Sequence, residues 1–297
     1  AAPKGVDIRV DAAPLSLRAI PRMAPAECDG DGISGTRTEV LYVRETDDSD
    51  RYSAYAPAIA TWAANADDIY YQSALETGGT RRIRFVHDAS CRIIVRNVVV
   101  APDTNASFAG TMGAVAEQGY NRIDRKYMMF VDANVYCGIG NVFYDDRPEQ
   151  TNVNNVGPSY GRTDAGCWSG SVVAHEHNHN LGGVQLSAPH ASGGWHCVDE
   201  WDRMCYSDSP LYPSMQVLCP SSSHDYRFDC NHDDYFSTAP PDGSYLATHW
   251  NTANSQFLIG GGLGPCSPLP PNDHFANATL LPASDRKSTR LNSSHVA

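Results

Sequence analysis

Between Ala174 and Gly183 the chain reads Ala-His-Glu-His-Asn-His-Asn-Leu-Gly-Gly, and few folds accommodate that run. His175 and His179 are four residues apart. On an α-helix both imidazoles leave the same face, about 6 Å apart along the axis, where they can share one metal ion. Glu176 stands beside them, placed to take a proton from water on that ion, so the HExxH spacing predicts a zinc hydrolase helix. The plain alternative is a helix with its polar residues on a solvated face. Gly182 and Gly183 predict that the helix stops at once and the chain turns. His177 points about 200° away from His175, and is expected at the surface or behind the metal ligands.

Such a helix needs a domain around it, and 297 residues with 41% hydrophobic content can supply a core. No apolar run approaches the roughly 20 residues of a membrane span; the longest, Ile93 to Val100, is interrupted by Arg96 and Asn97. A formal charge of −12 argues against nucleic acid, and Arg81-Arg82-Ile83-Arg84 reads as a strand border. Nine cysteines without a CxxC pair read as disulfide partners with one left over, which predicts an oxidising, extracellular location. The opening Ala1-Ala2-Pro3 is what signal-peptide removal would leave. A monomer with a protein or peptide substrate is the expected form.

Along the chain, residues 1–37 lack a period and read as an N-terminal arm or pro-segment remnant. Asp29-Gly30-Asp31-Gly32 is expected to be a turn, with a calcium loop as the alternative. Glu39 to Arg44 reads as a buried strand. Tyr52, Tyr55, Ile59, Trp62, Ala66 and Ile69 recur at three and four and predict a long helix ended by Gly78-Gly79. Ile83 to His87 and Ile93 to Val100 read as strands. A second helix with Phe108, Met112 and Val115 inward is expected to stop at Gly119. Tyr127 to Val131 reads as a strand, and Val135 to Phe143 as an edge strand broken by Gly138 and Gly140. Residues 144–167, rich in Asn, Asp, Gly and Pro, read as a surface loop, followed by Ser169 or Ser171 as N-cap of the metal helix. Leu246, Trp250, Ala253 and Phe257 predict a closing helix.

This order gives an α+β domain over 38–262: a twisted mixed sheet backed by helices, with the metal helix beneath it and an irregular, disulfide-rich C-terminal part. Residues 263–284 read as a linker and the start of a truncated module; Pro270 to Ala278 resembles the opening of a β-sandwich often appended to secreted bacterial enzymes. Residues 285–297 look like translated sequencing adapter and are set aside, which makes the remainder more acidic by two charges.

HExxHxxG followed by a downstream Met in a tight turn resembles the metzincin metallopeptidases, with Met204 in Asp202-Arg203-Met204-Cys205-Tyr206. The resemblance implies Met204 as an apolar floor under the metal, and Tyr206 as a phenol reaching the metal or the reacting oxyanion. The family's third ligand is a His three residues after the glycine, and Gln185 stands there instead. A neutral amide is a poor zinc ligand, so three alternatives stay open: His196 first, then His190, then Gln185. His196-Cys197 is similar to a His-Cys pairing at the third ligand in one cysteine-rich branch, and Ser192-Gly193-Gly194 would let the chain return. From Ser49 to Ile259 the chain more closely resembles a group of secreted actinobacterial-type zinc peptidases. That likeness rests on Tyr120-Asn121-Arg122, Tyr136 to Gly140, Gly157-Pro158-Ser159-Tyr160 and Gly194-Trp195-His196-Cys197.

The expected activity is zinc-dependent endopeptidase, with Glu176 as general base, Tyr206 steadying the oxyanion, and the edge strand near Cys137 to Phe143 binding peptide. One alternative is a non-catalytic secreted binding module with structural zinc. Another is a zinc peptidase with Glu200 as third ligand. His224, His232 and the run Asp229 to Asp234 read as a disulfide-pinned polar loop, with a second metal or calcium site as the alternative.

Overall fold

The computed structural model describes residues 26–219 and 221–262; the readings of 1–25, of Cys266 and of 263–297 lie outside them. The centre is a five-stranded sheet in the order β3-β1-β4-β6-β5. β1 (Arg37–Glu45), β3 (Val95–Val100), β4 (Arg125–Val131) and β6 (Ser159–Asp164) pair in parallel, and β5 (Gly138–Gly140) runs antiparallel to β6. A mostly parallel sheet needs cover on both faces, which accounts for unbroken apolar runs in its central strands. Alternate side chains divide between the faces. Val40 and Tyr42 of β1 and Met128 and Phe130 of β4 join the large core, whereas Leu41, Val43, Tyr127, Met129 and Val131 join a smaller one.

On the large-core face lie α1 (Tyr52–Glu76) and α3 (Gly170–Asn180). They approach closely: a Cβ on Gly170 would come within 2.5 Å of the Asn65 side chain. On the other face α2 (Phe108–Glu117) covers the small core through Phe108, Met112 and Val115. Ser107 caps α2 by accepting from Gly110 N–H, and Gly119 follows at φ +93. β2 (Arg82–Ile83) pairs with β7 (Leu258–Ile259), which ties residues 258–259 to the segment after α1.

Two expectations fail. Residues 144–167 are no surface loop, because β6 lies within them, wholly buried between β4 and β5. Its polar residues are matched by partners instead of solvent: the Arg162 guanidinium pairs with Asp164 at 2.6 Å and donates to Thr111 and to the Asn105 carbonyl. Asn152 and Asn154, equally buried, hold the preceding loop by donating to the carbonyls of Asp145, Arg147 and Phe143. Nor is there a closing helix over 246–257. One turn, α4 (Tyr245–Thr248), ends where His249 becomes extended; Trp250 N–H donates to Asp146 and Thr252 N–H to Tyr235. Leu246, Trp250, Ala253 and Phe257 are all buried, but from separate short turns and irregular backbone, with no continuous helix joining them.

Four disulfides join Cys28 to Cys91, Cys137 to Cys167, Cys197 to Cys205 and Cys219 to Cys230. Asp29 to Gly32 forms a turn, closed by Gly32 N–H on the Asp29 carbonyl at 3.1 Å, and the Asp29 carboxylate pairs with Arg37 and Arg84. Among the described residues no helix is long and apolar enough to cross a membrane.

Candidate metal centre

Ser169 caps α3 by accepting from Val172 N–H, and the helix ends at Asn180. The stop is local: Gly182 and Gly183 N–H groups turn back onto the His179 and Asn178 carbonyls, with Gly182 at φ +100. A side chain at Gly182 would also meet Trp250, whose indole N–H donates to the Leu181 carbonyl at 2.6 Å. The chain then forms a hairpin. Ser192 N–H donates to the His196 carbonyl, Val198 N–H to the His190 carbonyl, and Ala191 bridges Cys197.

This hairpin returns His196 to the helix. The Nε2 atoms of His175, His179 and His196 lie 3.1–3.2 Å from one another, all three residues buried. Each Nδ1 faces an oxygen: the Arg203 carbonyl at 2.8 Å for His175, the Gly183 carbonyl at 2.7 Å for His179, and the Asp208 carboxylate for His196. An Nδ1–H donating to those oxygens leaves a lone pair on every Nε2. Three facing lone pairs have no donor among them. Three nitrogens at 2.0–2.1 Å from one tetrahedral ion stand about 3.4 Å apart, so the cluster fits such an ion with little movement. Burial, before any other effect, pushes the pKa of all three imidazoles down and keeps them neutral, as ligands must be.

Gln185 does not join them. Its amide is buried in the turn, accepting from Asp145 N–H and donating to the Phe143 and Gly182 carbonyls. His190, on the hairpin's other arm, faces Asp234. Glu200 is likewise outside the three-histidine group; its N–H donates to the Gln216 carbonyl.

The Glu176 carboxyl is buried, and burial pushes its pKa up to about 8. It rests on β5: a Cβ on Gly138 would fall 2.1 Å from Glu176 Oε1, and one on Gly140 would fall 2.8 Å from the Glu176 carbonyl. Gly161 of β6 makes room for the same residue. The glycines that seemed to break the edge strand are where the helix meets the sheet. Gly138→Ala should therefore push the Glu176 carboxylate off its seat on β5, a displacement that a crystal structure of the variant would show.

Met204 is fully buried in the large core, with Ala174 and Leu181 in the same cluster. Its turn is held by Asp202, which accepts from Met204 N–H at 2.7 Å and from the Tyr235 hydroxyl at 2.6 Å. The Cys197–Cys205 bridge joins the residue after His196 to the residue after Met204. The Tyr206 ring packs 3.9 Å from the His196 ring, centre to centre, and 5.9 Å from that of His175. Burial, then Glu176 and Asp208, raises the Tyr206 pKa, so the phenol keeps its proton.

His177 corrects its expected surface position. It is buried between α3 and the sheet, with Nε2 2.8 Å from Thr38 Oγ1 and Nδ1 2.9 Å from the Tyr70 hydroxyl, and burial pushes its pKa down to about 3. His224 and His232 turn to Glu76, at 3.7 and 3.9 Å.

Fold and site together define a mixed α/β domain with a buried three-histidine group suited to one metal ion. No protein-family model and no curated protein matches the chain. Among solved structures, 53 chains match. A chaperone-substrate complex is similar over 50% of this chain and 27% of its own, at 13% identity and a TM-score of 0.29. Metalloproteinase-II from Bacteroides fragilis is similar over 70% of this chain and 58% of its own, at 12% identity and a TM-score of 0.29. The chain thus spans less than two thirds of either neighbour's length. Neither likeness bears on function, which rests on the side chains.

Proposed function

We propose that this chain is a secreted, zinc-dependent endopeptidase of metzincin type. The observation that carries the reading is the convergence of three imidazole Nε2 atoms from a helix and a returning hairpin, with a buried carboxylate one residue along that helix. His175, His179 and His196 would hold the zinc. Bound there, zinc supplies Lewis acidity, which acidifies a water and polarises a peptide carbonyl. Glu176 is the general base: held against Gly138 with little freedom, it takes a proton from the attacking water and returns it to the leaving amine. The protonated Tyr206 phenol, packed against the His196 ring, donates to the developing oxyanion. Among the described residues β5 is the last strand of the sheet, and a peptide running alongside it would bring a carbonyl past Glu176. Met204 floors the cluster. Four disulfides support an oxidising location.

Purified full-length protein should cleave denatured casein, lose that activity to a chelator, and regain it on zinc addition. Hydrolysis unaffected by the chelator would reject the reading.

A further inference from the structure

A second group of metal-ligating side chains lies on the opposite arm of the hairpin. His190 Nδ1 is 3.1 Å from Asp234 Oδ2 and 3.5 Å from Asp233 Oδ1, and the three ligand atoms all lie within 4.8 Å of one another. We propose that His190, Asp233 and Asp234 form a second cation site, for a transition-metal dication such as zinc, which fastens the hairpin carrying His196 to the loop at 229–236.

The loop is folded for this. The Asp229 carboxylate accepts the N–H groups of Asp233, Asp234, Tyr235 and Phe236 at 2.6–3.1 Å, so its oxygens are spent on the backbone. Asp234 accepts the backbone N–H of His190 with one oxygen at 2.7 Å, which leaves Oδ2 for the imidazole side. Asp233 Oδ1 is shielded from solvent and accepts no hydrogen bond. Asp229, Asp233 and Asp234 repel one another, and among the described residues no Arg or Lys forms an ion pair with any of them; His190 pairs with Asp233 and Asp234. Burial and then Asp229 push the Asp234 carboxyl up to about 7, the response of an acid that lacks a compensating cation.

Access and ligand type fit as well. The Asp234 side chain is 8% exposed, whereas those of His190 and Asp233 are 26% and 41% exposed, which leaves one side open to an entering ion and to water as a further ligand. One imidazole and two carboxylates suit zinc, cobalt or manganese; calcium, which takes 6–8 oxygens, is poorly served. The site rests on geometry independent of the peptidase reading. It also differs in membership from the metal site given as the alternative to a polar loop in the sequence, since His224 and His232 face Glu76.

The test separates the two centres. Full-length chain, stripped of metal, is incubated with zinc, gel-filtered and counted by mass spectrometry. Wild type should retain two zinc ions, and a His175→Ala/His179→Ala variant one. Adding His190→Ala and Asp233→Asn to that variant should abolish retention, with far-UV circular dichroism unchanged. In the His175→Ala/His179→Ala background zinc should also raise Tm, and this rise should vanish with the added substitutions. Zinc retention that survives them, a background variant that holds none, or a site that takes calcium and not zinc, overturns the proposal. A wild-type count of one that is lost in His175→Ala/His179→Ala leaves the first centre standing and removes only this one.

Discussion

Glu176→Gln is expected to retain zinc at the three-histidine centre while hydrolysis falls by ~10²–10⁴-fold, the usual contribution of a positioned general base. Gln matches Glu in shape, so the fit against Gly138, Gly140 and Gly161 survives and α3 keeps its seat on the sheet. What is lost is proton acceptance, since an amide oxygen cannot take a proton near neutral pH. The loss should appear in kcat with KM little changed, as for a group that acts only in the transition state. Full activity with bound zinc would refute Glu176 as base. Loss of both zinc and fold would show that the carboxylate had been structural.

The second large effect belongs to the returning hairpin. His196→Ala removes one of three nitrogens, so the zinc held at the three-histidine centre should be lost and peptidase activity should fall to background, while the ion at the His190 site stays; the loss of zinc distinguishes it from Glu176→Gln. A graded comparison comes from Asp208, whose carboxylate faces His196 Nδ1 and fixes which nitrogen carries the proton. Asp208→Ala should leave the ligand in place but weaken zinc affinity by ~10–100-fold, the usual loss when a ligand's outer partner is removed. Competition titration against a fluorescent zinc chelator measures both. Undiminished affinity in His196→Ala would return the third position to Gln185 or His190.

The parts legible in the sequence are those with an apolar pattern. β1 and β4 carry unbroken apolar runs, α1 and α2 repeat at three and four, and the HExxH spacing with its two glycines gives α3 and its stop. β6 carries no apolar pattern, because Arg162 meets its polar needs through Asn105, Ser107 and Thr111, over 50 residues earlier, and through Asp164 within the strand. The closing helix was a false signal: four buried residues at helical spacing arise equally from a chain pinned by Asp146 and Tyr235. At the site, Asp208 carries no local mark. Two glycines in a short strand, two residues apart and ahead of an HExxH helix, are the one signal that close approach to that helix would have explained. His177 was misplaced because its partners, Thr38 and Tyr70, lie over 100 residues earlier.

The bridge between Cys197 and Cys205 spans 8 residues, against 63 for Cys28 and Cys91. By loop-closure entropy the short one adds about 2.5 kcal/mol to stability and the long one about 4 kcal/mol. Opening the short bridge thus removes a sizeable share of the roughly 5–15 kcal/mol typical of a domain, and it also releases the tether between the His196 strand and the Met204 turn. Material made in a reducing cytosol lacks all four bridges, so export or oxidative refolding belongs in any preparation used to assay this chain.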